Sequence, residues 1–106
     1  MNTRVRMAGV VLLALSAVAP ALAQDSGKAT YDAKCKSCHG ASGMADTGAG
    51  KAMKVKPASD PDVKNMTEDQ MIAVVTDGKG KMPAYKGKLT DAQIKDSVAY
   101  YRTFVK

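Results

Sequence analysis

Apolar positions in this chain recur at helical spacing, in blocks that polar caps and glycines separate. Residues 10–19 form an apolar run, preceded by Arg4 and Arg6 and followed by Pro20 and the triplet Ala21, Leu22, Ala23. A basic start, a short apolar stretch and an Ala-x-Ala end predict an export signal over residues 1–23. Residues 7–23 are too short and too rich in Ala, Gly and Ser to make a good membrane span. The single domain expected after cleavage is 24–106. Its first helix is predicted to start near Asp25-Ser26-Gly27 and run to Lys34. Tyr31 and Cys35, four apart, share one face of it. Glycines then interrupt the pattern, and residues 40–60 read as an irregular loop with a helical turn near 49–54. Asp60-Pro61 is a helix start, with Asp as cap and Pro in the first turn; the helix it opens must be short. Thr67 with Gln70, and Thr90 with Gln93, are capping boxes. Met66 and Met71 flank the first box as a hydrophobic staple, and Leu89 and Ile94 flank the second. Gly78 ends the first of these helices. The second is predicted to run to the C-terminus, with Ile94, Val98, Tyr101 and Val105 as one apolar stripe that Tyr100 and Phe104 widen. The fold class is therefore all-α.

Charge adds a partner class to this picture. The chain has 106 residues and a formal charge of +6. Cleavage after Ala23 removes Arg4 and Arg6 and leaves 83 residues at +4, from 14 basic and 10 acidic side chains. The excess is mostly lysine and spread along the sequence. It makes neither a nucleic-acid arm nor a basic amphipathic membrane helix, and is better suited to docking an acidic protein.

The candidate chemistry lies in Cys35-Lys36-Ser37-Cys38-His39, which holds both cysteines and the single histidine of the chain. Two cysteines separated by two residues, then histidine, is the attachment signature of c-type haem. Each thiol adds across one vinyl group, and the imidazole that follows is placed to bind iron. Two other readings have to be weighed. A disulfide or thioredoxin-like dithiol suits an exported chain, but the alternating strands of that fold are missing. A closed zinc site needs four ligands, which two Cys and one His do not supply. Three helices in 83 residues also bury too little to stand alone. A covalently held apolar plate would complete the core, so the haem-free chain is expected to be largely unfolded.

Iron bound by one histidine has a second axial position. Met44 follows His39 too closely to reach the opposite face, and Met66 and Met71 belong to a helix start. Met53, in the long loop, could reach. Met82 follows Gly78 and Gly80 in a loop with no evident core role, and glycine permits close backbone approach; it is the expected ligand. A thioether favours Fe(II) and raises the potential over a second histidine. With two strong axial ligands the site would move one electron and do little else.

In these features the chain resembles the small bacterial class I, monohaem, cytochromes c. The resemblance rests on Gly27-x-x-x-Tyr31-x-x-x-Cys35-x-x-Cys38-His39, the Gly80-Lys81-Met82-Pro83-Ala84 loop, the helix containing Val98-Ala99-Tyr100-Tyr101, and the export signal. It implies a periplasmic electron carrier, expected to be a monomer, in which the terminal helices cross at Gly27 with Tyr31 and Tyr100 at their contact. Tyr31, Tyr100, Gly27 and Pro83 would pack the haem pocket. Lys34, Lys36, Lys79, Lys81, Lys86 and Lys88 would ring the exposed haem edge and dock acidic redox partners. A subunit of a larger oxidoreductase and a haem enzyme or gas sensor are the alternatives. Two departures stand out. Ser97 replaces an apolar residue on the last helix. The chain also has no Trp, so the haem propionates must turn to Tyr85, a lysine or the backbone.

Overall fold

The computed structural model describes residues 19–106, and its side chains from Asp25 on. Most of the expected signal, residues 1–18, lies outside the described residues. Helix α1 spans Ala19–Lys34, so it begins upstream of the expected start at Asp25. Ala19, Ala21, Leu22, Ala23 and Gln24 are all good helix formers, and Pro20 is tolerated in a first turn, so local propensity carries the helix back through them. Helix α2, Lys36–His39, continues after a break at Cys35. Helices α3 (Gly48–Ala52) and α4 (Pro61–Lys64) are single turns within the connecting segment. Helix α5 is Glu68–Asp77 and α6 is Asp91–Arg102. Among the described residues no strand forms, only two isolated bridges, Lys79 with Met82 and Lys86 with Leu89.

Both capping boxes are made. Thr67 accepts from the Gln70 amide at 3.1 Å while the Gln70 side chain accepts from the Thr67 amide at 2.9 Å. Thr90 and Gln93 repeat the pair at the same distances. Asp60 caps α4 by accepting from the Asp62 amide at 2.9 Å. Helix α6 stops at Arg102, short of the C-terminus. The next three amides, of Thr103, Phe104 and Val105, each bond three residues back in a tightened last turn, and the Thr103 hydroxyl takes the Tyr100 carbonyl at 2.7 Å. Val105 therefore falls off the apolar stripe.

Helix α1 packs across α6, and α5 packs against α6. Gly27 makes the crossing possible: a Cβ there would overlap the Asp96 carbonyl oxygen and meet its carbon at 2.8 Å and Tyr100 Cβ at 3.2 Å. One turn on, Tyr31 meets Tyr100 at 5.2 Å between ring centroids and Phe104 at 5.7 Å. Ser97 is buried in α6 at 3% exposure, and its hydroxyl is satisfied by the Ile94 carbonyl at 2.8 Å, so the polar residue leaves no unpaired group there.

The long connection between α2 and α4 divides its work. Gly43 lies under Phe104 and Ala58, where a Cβ would meet the Phe104 ring at 3.0 Å. The Ala58 amide ties back to the Gly43 carbonyl at 2.8 Å. Farther along, residues 53–56 turn toward the cavity described next.

Candidate haem site

A cavity of about 1190 Å³ opens between the elements, at the large end for a small-molecule pocket and roomy for a domain of this size. Cys35, Cys38 and His39 stand on its wall, and so do Tyr31, Met82 and Pro83. Most of the remaining wall is apolar, including Val55, Val63, Val74 and Val98.

The break at Cys35 sets out the first group. The amides of Cys38 and His39 both turn to the Cys35 carbonyl, at 3.2 and 3.0 Å. Helix α3 braces α2 from behind. The Thr47 hydroxyl donates to the Ser37 carbonyl at 2.7 Å and accepts from the Gly50 amide at 2.9 Å. Gly50 lies so close to the Cys38 carbonyl that a Cβ would overlap it. Cys35 and Cys38 are free thiols. Burial, and secondarily its neighbour Cys38, push the Cys35 thiol up to about 11. A redox dithiol needs a thiol that ionises easily, so this environment argues against the thioredoxin-like reading. Among the described residues no three His, Cys, Asp or Glu side chains are grouped to hold a metal ion.

His39 sits edge-on to Tyr101, with ring centroids 5.5 Å apart. Burial lowers its pKa, which keeps the imidazole neutral, the form that binds a metal. Its Nδ1 is buried without a hydrogen-bond partner. An apolar cavity of this volume, two thiols on its wall and a neutral, under-partnered imidazole beside them fit a covalently attached haem.

Met82 comes from the other side of the sequence. Lys79 and Met82 exchange both backbone hydrogen bonds, at 3.1 and 3.0 Å, around a two-residue turn with Gly80 at φ +57°. Glycine is the residue such a hairpin turn asks for first. Gly78, at φ +77°, lets the chain return: a Cβ there would come within 2.9 Å of the Met82 oxygen and the Ala84 nitrogen. The Tyr85 and Lys86 amides then bond to the Val75 and Thr76 carbonyls at 2.9 and 3.1 Å. The loop thus satisfies carbonyls that the end of α5 leaves open, and that fixes where Met82 stands.

Of the other methionines, Met53 lies on the wall at 44% exposure, while Met44 is exposed at 37% and off it. Met66 and Met71 are wall residues too, so the helix-start methionines face the cavity. Gly27 and Tyr100 are not on the wall; they build the helix crossing behind it. Lys34, Lys79 and Lys81 border the cavity, whereas Lys36, Lys86 and Lys88 are exposed elsewhere. Sequence reasoning passed over Lys54 and Lys56 on the same rim, although their closeness to Met53 was a usable signal. Lys56 pairs with Asp62 at 2.6 Å, an exposed contact of little weight. The Tyr85 hydroxyl, a candidate for the propionates, instead donates to the Lys34 carbonyl at 3.1 Å.

Comparison with known proteins places these features in company. The family described as cytochrome c oxidase, cbb3-type, subunit III matches residues 22–100. The chain is 40% identical to cytochrome c6 of Nostoc sp. strain PCC 7120, over 87% of this chain and 82% of that protein. It is 43% identical to cytochrome c6 of Leptolyngbya boryana, over 72% and 85% respectively. The solved structure of the KustC0563 c-type cytochrome superposes with a TM-score of 0.69 at 28% identity, covering 76% of this chain and 98% of that one.

Proposed function

Because the chain belongs to the cytochrome c family and carries a covalently attached haem c, we propose that it is a periplasmic one-electron carrier with iron held between His39 and Met82. The observation that supports this reading best is that His39 and Met82, 43 positions apart in sequence, line one apolar cavity together with Cys35 and Cys38. When bound, the haem supplies an iron that gains or loses one electron. The chain does the rest. Cys35 and Cys38 act as tethers, and thioether formation consumes both thiols. His39, kept neutral by burial, offers a ring nitrogen. The soft Met82 sulfur would favour the reduced metal over the oxidised one and so raise the potential. With His39 and Met82 both holding the iron, no position would remain for a substrate, which would separate a carrier from a haem enzyme or gas sensor. The valine-rich wall excludes water and adds to the control of the potential.

Lys34, Lys54, Lys79 and Lys81 border the cavity opening, so an acidic redox partner would be steered to the edge through which the electron leaves. Such an interface is small, weak and screened by salt. Residues 1–23 would be removed on export. Among the described residues no helix is long and apolar enough to cross a membrane.

Visible spectroscopy of the oxidised protein tests the ligand pair. Met82→Ala is expected to abolish the Met–iron charge-transfer band and Met53→Ala to keep it; the reverse outcome overturns the assignment. An intact mass of one haem plus a chain beginning at Gln24 tests the processing. One alternative has specific support. The matched family is described as an oxidase subunit, so co-purification at unit stoichiometry with a catalytic subunit would favour a tethered electron relay over a free shuttle.

A further inference from the structure

We propose that the Tyr85 phenol is the latch that holds the Met82 loop against the cysteine-bearing half of the molecule. The proposal rests on the reading of Met82 as an axial ligand. Among the described residues, the bond from Tyr85 to the Lys34 carbonyl is the one hydrogen bond that joins segment 78–88 to α1 or α2. The loop's other external bonds, from the Gly78, Tyr85 and Lys86 amides, run to α5, the helix from which the loop itself emerges. Those three bonds form a hinge; the phenol spans the gap.

The acceptor is free for this purpose because of the break at Cys35. In an unbroken helix the Cys38 amide would turn to the Lys34 carbonyl. Here it turns to Cys35 at 3.2 Å, and Lys34 offers its oxygen to Tyr85. The latch therefore closes one residue before the first tether and three residues after Met82. Tyr85 also lines the cavity, and burial raises its pKa. The phenol thus stays a donor throughout the neutral range. Tyr85 is a positioning residue: it acts on Met82 through the loop.

A latch governs how often the loop opens. Losing one hydrogen bond that exists only in the closed form should raise the open population about threefold to tenfold. A ligand that binds only the open form gains apparent affinity by the same factor. The experiment uses haem-loaded, oxidised protein and imidazole as the probe, followed at the Met–iron charge-transfer band. Tyr85→Phe is expected to bind imidazole about threefold to tenfold more tightly than the parent. Thr90→Ala, which weakens the cap of α6, serves as the comparison for a purely global loss of stability, and its imidazole affinity is expected to match the parent's. An unchanged affinity in Tyr85→Phe, or an equal gain in Thr90→Ala, overturns the latch. Persistence of the band in Met82→Ala overturns the ligand reading and the latch with it. Loss of the band there, with Tyr85→Phe indistinguishable from the parent, overturns the latch alone.

Discussion

Tyr31 is 1% exposed yet carries a hydroxyl, and that hydroxyl is satisfied by the Gly40 carbonyl at 2.5 Å. Burial, with a lesser contribution from Cys35, raises its pKa. The folded protein keeps this proton where the unfolded chain, near pH 10, gives it up. Its stabilisation is therefore intact below about pH 10 and is lost as pH climbs above that value. Tyr31→Phe should cost about 1 kcal/mol at neutral pH and flatten the alkaline fall of Tm in melts of haem-loaded protein; Tyr101, also raised by burial, keeps part of the slope. At Gly27 the close approach to Asp96 and Tyr100 means that Gly27→Ala should cost about 1–3 kcal/mol, read from the same melts. The sequence pattern, with its family resemblance, already pointed to both residues. Lys54 is different. It sits at φ +54°, just past α3. The Val55 amide bonds to Gly50 at 2.9 Å and the Lys54 amide to Lys51 at 3.2 Å. That arrangement is a Schellman stop with lysine where glycine usually stands. Nothing in the residue type announces it. Lys54→Gly should stabilise the protein by about 1 kcal/mol, since it relieves the left-handed backbone.

The helices were legible where they carry polar signals at their ends. Asp60, Thr67 and Thr90 mark three starts correctly because a cap is a local device, written in four adjacent residues. Thr67→Ala should lower stability by about 1 kcal/mol, a loss that denaturant titration can read. The start of α1 and the end of α6 were less legible because neither is marked in that way. Helix α1 has only gradual propensity to set its beginning. Helix α6 has no glycine to stop it and ends by tightening its last turn at Thr103. The loop between α2 and α4 was recognised as irregular from its glycines. Its contact with Phe104 was hidden, because packing between segments some sixty residues apart leaves no local periodicity to read.

At the scale of the molecule, the cavity wall draws on α1, α2, α4, α5, α6 and both connecting loops. Sequence alone singled out His39 and Met82 through their chemistry, and both stand on the wall, but it did not place Ser97, Tyr101 or the valines there with them. Which apolar side chains face a cofactor and which face each other depends on helix rotation, and that is settled only when the helices pack. A domain this hollow depends on what fills it. Protein produced without haem should lack a cooperative thermal transition, as circular dichroism would show; a native-like melt would contradict this. Association with an acidic partner should weaken steeply with added salt, measured as the on-rate across an ionic-strength series.

The crossing of α1 on α6 joins the beginning of the described chain to its end. A polypeptide is made from its N-terminus, so Cys35 and Cys38 emerge about fifty residues before α6 begins, several seconds of synthesis at ordinary rates. Throughout that interval Gly27 and Tyr31 have no helix to pack on, and the segment around the thiols has no closed structure to withdraw into. The order of synthesis thus leaves the attachment stretch open, and a chain that stays unfolded without haem keeps it open after α6 is complete. Haem-free protein should therefore react with maleimide at both Cys35 and Cys38 as readily as a chain ending at Leu89 does.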